Sequence, residues 1–178
     1  PIIKEFDNDI DVISSKECLF RLFRDIRFSK NKDPYKTNFG AYIAKGGRKS
    51  PYAGYYLHVE PEKSFVGGGI YMPQSPVLKS IRTEIFENIE TFKEILSDSA
   101  FMKYFKEVHG EKLVSAPRGF PKDFEDIELL KHKHYAVIHN VKDSFWNSKQ
   151  IFEKLIEIFK AQYTFNQFLN TAVKKSNN

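Results

Sequence analysis

The residues best equipped for chemistry lie between Arg21 and Lys49. Arg21, Arg24, Arg27, Lys30, Lys32, Lys36, Lys45, Arg48 and Lys49 are opposed there only by Asp25 and Asp33. The whole chain carries a formal net charge of +5, so this stretch holds more than the entire positive excess and the remainder is slightly acidic. A concentrated positive field draws in anions, most of all inside a cleft. Arginine adds planar, bidentate recognition of phosphate or carboxylate. The stretch also interleaves Phe23, Phe28, Tyr35, Phe39 and Tyr42, rings on which nucleic-acid bases could stack. A solvated cationic face is the plainer alternative.

The candidate ligand-binding set is Arg24, Arg27, Lys30, Lys32 and Lys36, with Tyr35, Tyr56 and His58 as hydrogen-bonding partners. In a flat strand Arg24 and Arg27 point to opposite faces, so a bulge near Asp25 would be needed to bring both into one pocket. The structural alternative is an ion network in which Asp25 and Glu60 pair with nearby arginines. A second constellation takes His58 as base, Asp25 as its orienting group and Ser29 or Ser50 as nucleophile, which requires all three within hydrogen-bond reach. Gly46–Ser50 lacks the GxxxxGK[ST] spacing of a phosphate loop and falls between two strands, so it reads as a turn. Gly67-Gly68-Gly69 likewise lacks dinucleotide-binding spacing. His132, His134 and His139 offer an H-x-H pair, but His139 has the opposite parity and no carboxylate follows on the shared face. No metal and no cofactor are expected.

These side chains must be positioned by strands early and helices late. Leu19 to Phe28 reads as a strand, as does Phe39 to Ala44, which Gly46-Gly47 ends. Gly54 to Glu60 alternates, with Tyr55, Leu57 and Val59 on one face and Tyr56, His58 and Glu60 on the other. Pro61 to Ser64 is a four-residue hairpin loop, and the chain returns over Phe65 to Tyr71. Ser75 as N-cap with Pro76 at the first helical position begins a helical stretch through Ile85 and on to Leu96. Further helices are expected over Ala100–His109 and Phe124–Leu130, and a strand over Tyr135–Val141. Phe145 and Trp146, just before the last helix, read as a core anchor or as helix-start packing. Ile151–Val173 is one long amphipathic helix, its stripe of Phe152, Leu155, Phe159 and Tyr163 facing the core or, alternatively, a dimer partner. The first residues look like the last turn of a helix.

At 178 residues with 15% aromatics, the chain is expected to form one domain with a sizeable core rather than a disordered segment. Its apolar runs fall short of the ~20 residues of a membrane helix. The single cysteine, Cys18, excludes an internal disulfide and a cysteine-built zinc site. With no basic and apolar leader at the start, the expected location is the cytoplasm. The expected class is α+β: a mainly antiparallel sheet packed against several helices, with a long amphipathic helix at the C-terminus.

The run RDIRFSKNKDPYKTNFGAY (Arg24 to Tyr42) resembles the mostly bacterial family known as domain of unknown function twenty-four sixty-one. SPYAGYYLHVEP (Ser50 to Pro61) and FVGGGIYMP (Phe65 to Pro73) are similar to that family's next two motifs. Arg82 and the Pro117-Arg-Gly-Phe120 turn also fall where similar members carry theirs. The resemblance implies an α+β domain whose motif residues lie close together, with a further helical segment upstream. It brings no activity, substrate or cofactor. The leading functional expectation is therefore a basic cleft over Arg24–Lys49 that binds a phosphate- or carboxylate-bearing small molecule. The alternatives are a nucleic-acid-binding module on the same surface and a hydrolase or transferase using His58. Oligomeric state is left open.

Overall fold

The computed structural model describes residues 2–23, 27 and 32–176. A four-stranded antiparallel sheet runs in the order β1 (Phe39–Ala44), β2 (Gly54–Val59), β3 (Phe65–Ile70), β4 (Tyr135–Asn140). The helices α1 (Ser75–Glu87), α2 (Ile89–Ser97), α3 (Ser99–Tyr104) and α4 (Ile127–Leu130) intervene between β3 and β4. After β4 come α5 (Ile151–Ala161) and α6 (Tyr163–Ser176). This is an α+β architecture, with the sheet's first three strands as a local meander.

Register sorts the side chains. Tyr55 pairs with Ile43 and Gly68, and Gly68 with Val137, so these share the face that packs on the helices. Tyr55, Val66, Tyr135 and Val137 are buried there against Phe92, Phe159, Phe165 and Leu169. On the opposite face Tyr56 pairs with Tyr42 and Gly67, and His58 with Gly40 and Phe65. Gly68 is required by close approach: a Cβ there would lie 2.0 Å from the Gly54 carbonyl oxygen and 2.2 Å from Gln162 Nε2. The missing side chain lets the α5–α6 junction rest on the sheet.

That junction departs from expectation. The helix predicted over Ile151–Val173 breaks at Gln162, which is fully buried and donates from Nε2 to the Gly54 carbonyl at 3.3 Å. Asn166 donates to the same oxygen at 3.2 Å, and Asn170 accepts from the Ala53 amide at 2.7 Å. A buried amide row thus ties the helices to the start of β2, giving partners to the Gly54 carbonyl and the Ala53 amide, which burial would otherwise penalise. Of the predicted stripe, Phe159 is buried, while Phe152 is 61% exposed. The stretch predicted as helical from Ser75 to Leu96 breaks at Asn88, whose side chain donates to the Glu84 carbonyl.

Other boundaries shift for local reasons. Gln74 rather than Ser75 is the cap of α1, with Pro76 in the first turn. Helix α3 is capped by Asp98 and stops at Tyr104, because His109 is drawn into a bridge with Ala136 beside β4. The helix expected over Phe124–Leu130 is confined to α4. Phe145 and Trp146 pack, half-buried, against the core. Ile2–Glu5 forms a short 3₁₀ turn. Among the described residues, no helix is long and apolar enough to cross a membrane.

Candidate functional site: a cationic cleft at the sheet edge

Of the strand predicted over Leu19–Phe28, residues 19–23 make isolated bridges rather than a regular element, while 24–26 and 28 lie outside the described residues. Leu19 bridges Ala41 and Phe23 bridges Tyr35, both antiparallel. The Phe20 amide donates to the Gly40 carbonyl, Tyr42 to Cys18, and Lys36 to Leu22. Residues 18–23 therefore run along the free edge of β1 as an irregular border. The turn over Gly46–Ser50 closes against the same border, since the Arg48 amide and guanidinium both donate to the Glu17 carbonyl, the guanidinium also reaching Lys16 at 2.7 Å. The turn reading of that segment holds, with Gly46 and Gly47 at φ 74° and 78°, values open to glycine at no steric cost.

Between this border and the outer sheet face lie two adjoining cavities. The larger, about 760 Å³, is lined by Phe20, Arg21, Phe23, Arg27, Lys36, Arg48 and Lys49. The smaller, about 220 Å³, is lined by Phe20, Arg21, Lys36, Asn38, Gly40 and Tyr56. Phe20, Arg21 and Lys36 belong to both. Among the described lining residues no side chain is acidic. Five cations with two phenyl rings form the larger wall, and an amide and a phenol close the smaller.

The predicted set is partly reunited. Arg27, Lys36 and Tyr56 line the cleft, and His58 stands behind Tyr56. Tyr35 is outside the lining, with its ring tilted against Phe23 at 5.2 Å between centroids. Lys32 is exposed and also outside it. Arg24 and Lys30 lie outside the described residues, as do Asp25 and Ser29. Phe20, Arg21, Arg48 and Lys49 also line the wall; none is in the candidate ligand-binding set, although Arg48 and Lys49 fall within the Arg24–Lys49 stretch assigned to the cleft. The density of basic residues was the signal for three of them, but only the pairing of residues 18–20 with 40–42 shows that they converge.

Of the predicted Asp25–His58–serine arrangement, Asp25 and Ser29 lie outside the described residues, and His58 is hydrogen-bonded along its own strand. Its Nε2 is 3.1 Å from Glu60 Oε2 and its Nδ1 is 3.2 Å from the Tyr56 hydroxyl. Ser50 Oγ instead accepts from the Tyr52 amide. The reason is register: residues 56, 58 and 60 follow one face of β2 at the two-residue period. Glu60 pairs with His58, and its other oxygen accepts from Thr37 Oγ1 at 2.9 Å. These bonds, His58's foremost, hold the Glu60 carboxyl below the ordinary range. The imidazole stacks on Phe65, with ring centroids 4.6 Å apart. Burial pushes the Tyr56 phenol up, which keeps it neutral at physiological pH.

The histidines near β4 serve other ends. His139 Nδ1–H donates to the Tyr104 carbonyl at 3.1 Å, while His134 packs on Tyr71 at 4.8 Å. His132 is 4% exposed, and burial foremost pulls its pKa down to about 4. Among the described residues no group of three or more histidine, cysteine or acidic side chains is placed to hold a metal ion. On the helix-facing side of the same edge is a third cavity, about 510 Å³ and largely apolar, between residues 2–19 and α5. Phe152 overhangs it, which explains its exposure.

The fold and the cleft define a class: an α+β protein with an antiparallel meander whose edge is bordered by cations and rings. The family profile described as "Conserved hypothetical protein (DUF2461)" matches residues 1–168. The chain belongs to that family. No curated protein and no solved structure matches the chain.

Proposed function

We propose that this protein binds a phosphate- or carboxylate-bearing small molecule in the cleft at the edge of β1. The observation that carries the reading is the cavity wall that gathers Arg21, Arg27, Lys36, Arg48 and Lys49 with the rings of Phe20 and Phe23. Cations gathered in a concave, partly dehydrated surface attract anions more strongly than the same charges spread over a convex one. The number of positive charges favours phosphate over a single carboxylate, and Phe20 and Phe23 favour a ligand with a planar or apolar portion. A cytoplasmic location is proposed with it: Cys18 is buried and its thiol pushed up by burial, an unreactive form suited to a reducing compartment.

Thermal unfolding in the presence of inorganic phosphate, nucleotides, sugar phosphates, organic acids and short oligonucleotides tests this. A ligand at ~100 times its Kd adds about 2.7 kcal/mol, a midpoint rise of roughly 5–11 °C for a chain of this size. Lys36→Ala should abolish the rise. Unchanged stabilisation in Lys36→Ala and Arg21→Ala, or none in wild type, overturns the assignment. Salt separates the nucleic-acid alternative, for which Phe20, Phe23 and Tyr35 offer stacking surfaces. Affinity for a strand spanning several phosphates falls steeply with salt through counterion release, that of a single small ligand only weakly.

A further inference from the structure

We propose that Tyr56 is the nucleophile of a phosphoryl-transfer reaction in the smaller cavity, with His58 as its base and Glu60 as the residue that positions His58. The proposal rests on the anion-binding reading above and names the chemistry of that site.

Three features join to carry it. Tyr56 lines the cavity beside Arg21, Lys36 and Asn38, so its hydroxyl and an anion held by those cations share one space. His58 Nδ1 is 3.2 Å from that hydroxyl. In the tautomer that donates Nε2–H to Glu60, Nδ1 is the acceptor and receives the phenol proton. Glu60 is itself fixed by Thr37 on its other oxygen, so the carboxylate cannot turn away. Nucleophile, base and orienting group in one hydrogen-bonded line is the arrangement that covalent catalysis needs. A half-buried neutral phenol is a poor nucleophile unaided, which is why the adjoining base matters. Arg21 and Lys36 would neutralise the charge spread over the equatorial oxygens, the principal demand of phosphoryl transfer.

The steps balance without any further reactant than water. Tyr56 Oη attacks the phosphorus of a phosphate monoester, the Oη–P bond forms and the bond to the leaving oxygen breaks. The phenol proton moves to His58 Nδ1, the imidazolium is stabilised by Glu60, and the proton passes to the leaving alcohol. Water then attacks the phosphotyrosine and gives its proton to Nδ1. The P–Oη bond breaks, and the phenolate recovers a proton from His58. The sum is monoester plus water giving alcohol plus inorganic phosphate.

The experiment uses the full chain, 4-nitrophenyl phosphate as substrate and inorganic phosphate as the binding probe. Wild type should release 4-nitrophenolate, and acid-quenched digests should show the peptide containing Tyr56 heavier by one phosphoryl group. Tyr56→Phe, which keeps the ring against Phe20 and Phe65, should lose both signals while phosphate still raises its unfolding midpoint. His58→Gln should slow release by ~10²–10⁴-fold, the span of general-base contributions. Glu60→Gln should lower kcat for nitrophenolate release with KM unchanged, because the His58 ring is then no longer held toward Tyr56. Phosphate stabilisation without nitrophenolate or phosphotyrosine in wild type overturns the nucleophile and leaves the anion site standing. Release that persists in Tyr56→Phe does the same. Neither stabilisation nor release overturns both.

Discussion

Gly40 stands directly opposite His58 in the β1–β2 register, and a Cβ built on it would come within 2.8 Å of the Tyr56 hydroxyl and 3.2 Å of the Phe20 ring. The vacancy at position 40 is thus what lets the phenol lie across β1 toward the cleft. Gly40→Ala should displace Tyr56 or Phe20. Overpacking typically costs about 1–3 kcal/mol, but here both neighbours are side-chain atoms at a cavity wall, so the low end is expected. The sharper readout is release of 4-nitrophenolate, which should fall while the sheet's circular dichroism is retained. Unaltered release would show that the phenol's position is irrelevant to the site.

Arg48 and Lys49 are adjacent in the cleft wall yet should behave differently. Arg48 fastens the Gly46–Ser50 turn to the border through the carbonyls of Lys16 and Glu17. Arg48→Ala should lower both phosphate affinity and stability, the latter by about 1–2 kcal/mol for the lost charged hydrogen bonds. Lys49→Ala should lower affinity alone. Paired urea unfolding and phosphate titrations would distinguish them, and equal stability loss in both would refute the division of roles.

His132 makes stability depend on pH in a defined window. Its folded pKa is about 4, against 6.5 in an unfolded chain, chiefly through burial. Between those values the unfolded chain binds the proton more readily, so its contribution is complete above about 6.5 and lost as pH falls toward 4. The linked loss is at most ~3 kcal/mol by the conversion of 1.36 kcal/mol per unit. His132→Leu should flatten that part of a stability–pH curve measured by urea unfolding. A wild-type curve without slope between pH 4 and 6.5 would contradict the burial seen for this ring.

Gly68→Ala is expected to be strongly destabilising. Trimming Gln162 to Ala would remove one of its clashes, but the Gly54 carbonyl oxygen at 2.0 Å would remain. The double variant should therefore stay destabilised by more than ~3 kcal/mol, toward the exceptional end of single-site effects. Wild-type-like denaturant midpoints in the double variant would rule out the backbone clash.

How far these features could be read from the chain depends on whether their causes are local. The β2–β3 hairpin was legible because Tyr55, Leu57 and Val59 alternate with Tyr56, His58 and Glu60, and Pro61 to Ser64 supplies the turn. The α+β class and the helix-forming regions followed from period and caps. Breaks at Asn88 and Gln162 were not legible. The apolar spacing continues through both, and the Gln162 break coincides with a tertiary bond to Gly54. Residues 19–28 look like a strand because Phe, Leu and Ile crowd there. Leu19 in fact lines the apolar cavity and Phe20 the cationic cleft, so their apolar character reflects cavity walls rather than a regular ladder. In the same way the charge count pointed to the cleft, but Glu60 as the partner of His58 emerges only once the face of β2 is seen.

The pairing of β3 with β4 has a bearing on how the molecule is assembled. Strands β1, β2 and β3 are joined by short turns, whereas Gly67 meets Ile138 only after α1 to α4 have intervened. Closing a long loop costs more chain entropy than closing a hairpin, and non-local pairing slows folding. The expected order is an early meander carrying Tyr56, His58 and Glu60, with β4 added as the helices dock. Substitutions at Val137 should then mainly speed unfolding, while those at Leu57 should also slow refolding; the reverse pattern in stopped-flow kinetics would place β4 in the nucleus. The polar face of β2 would thus gain its shape before the core behind it closes.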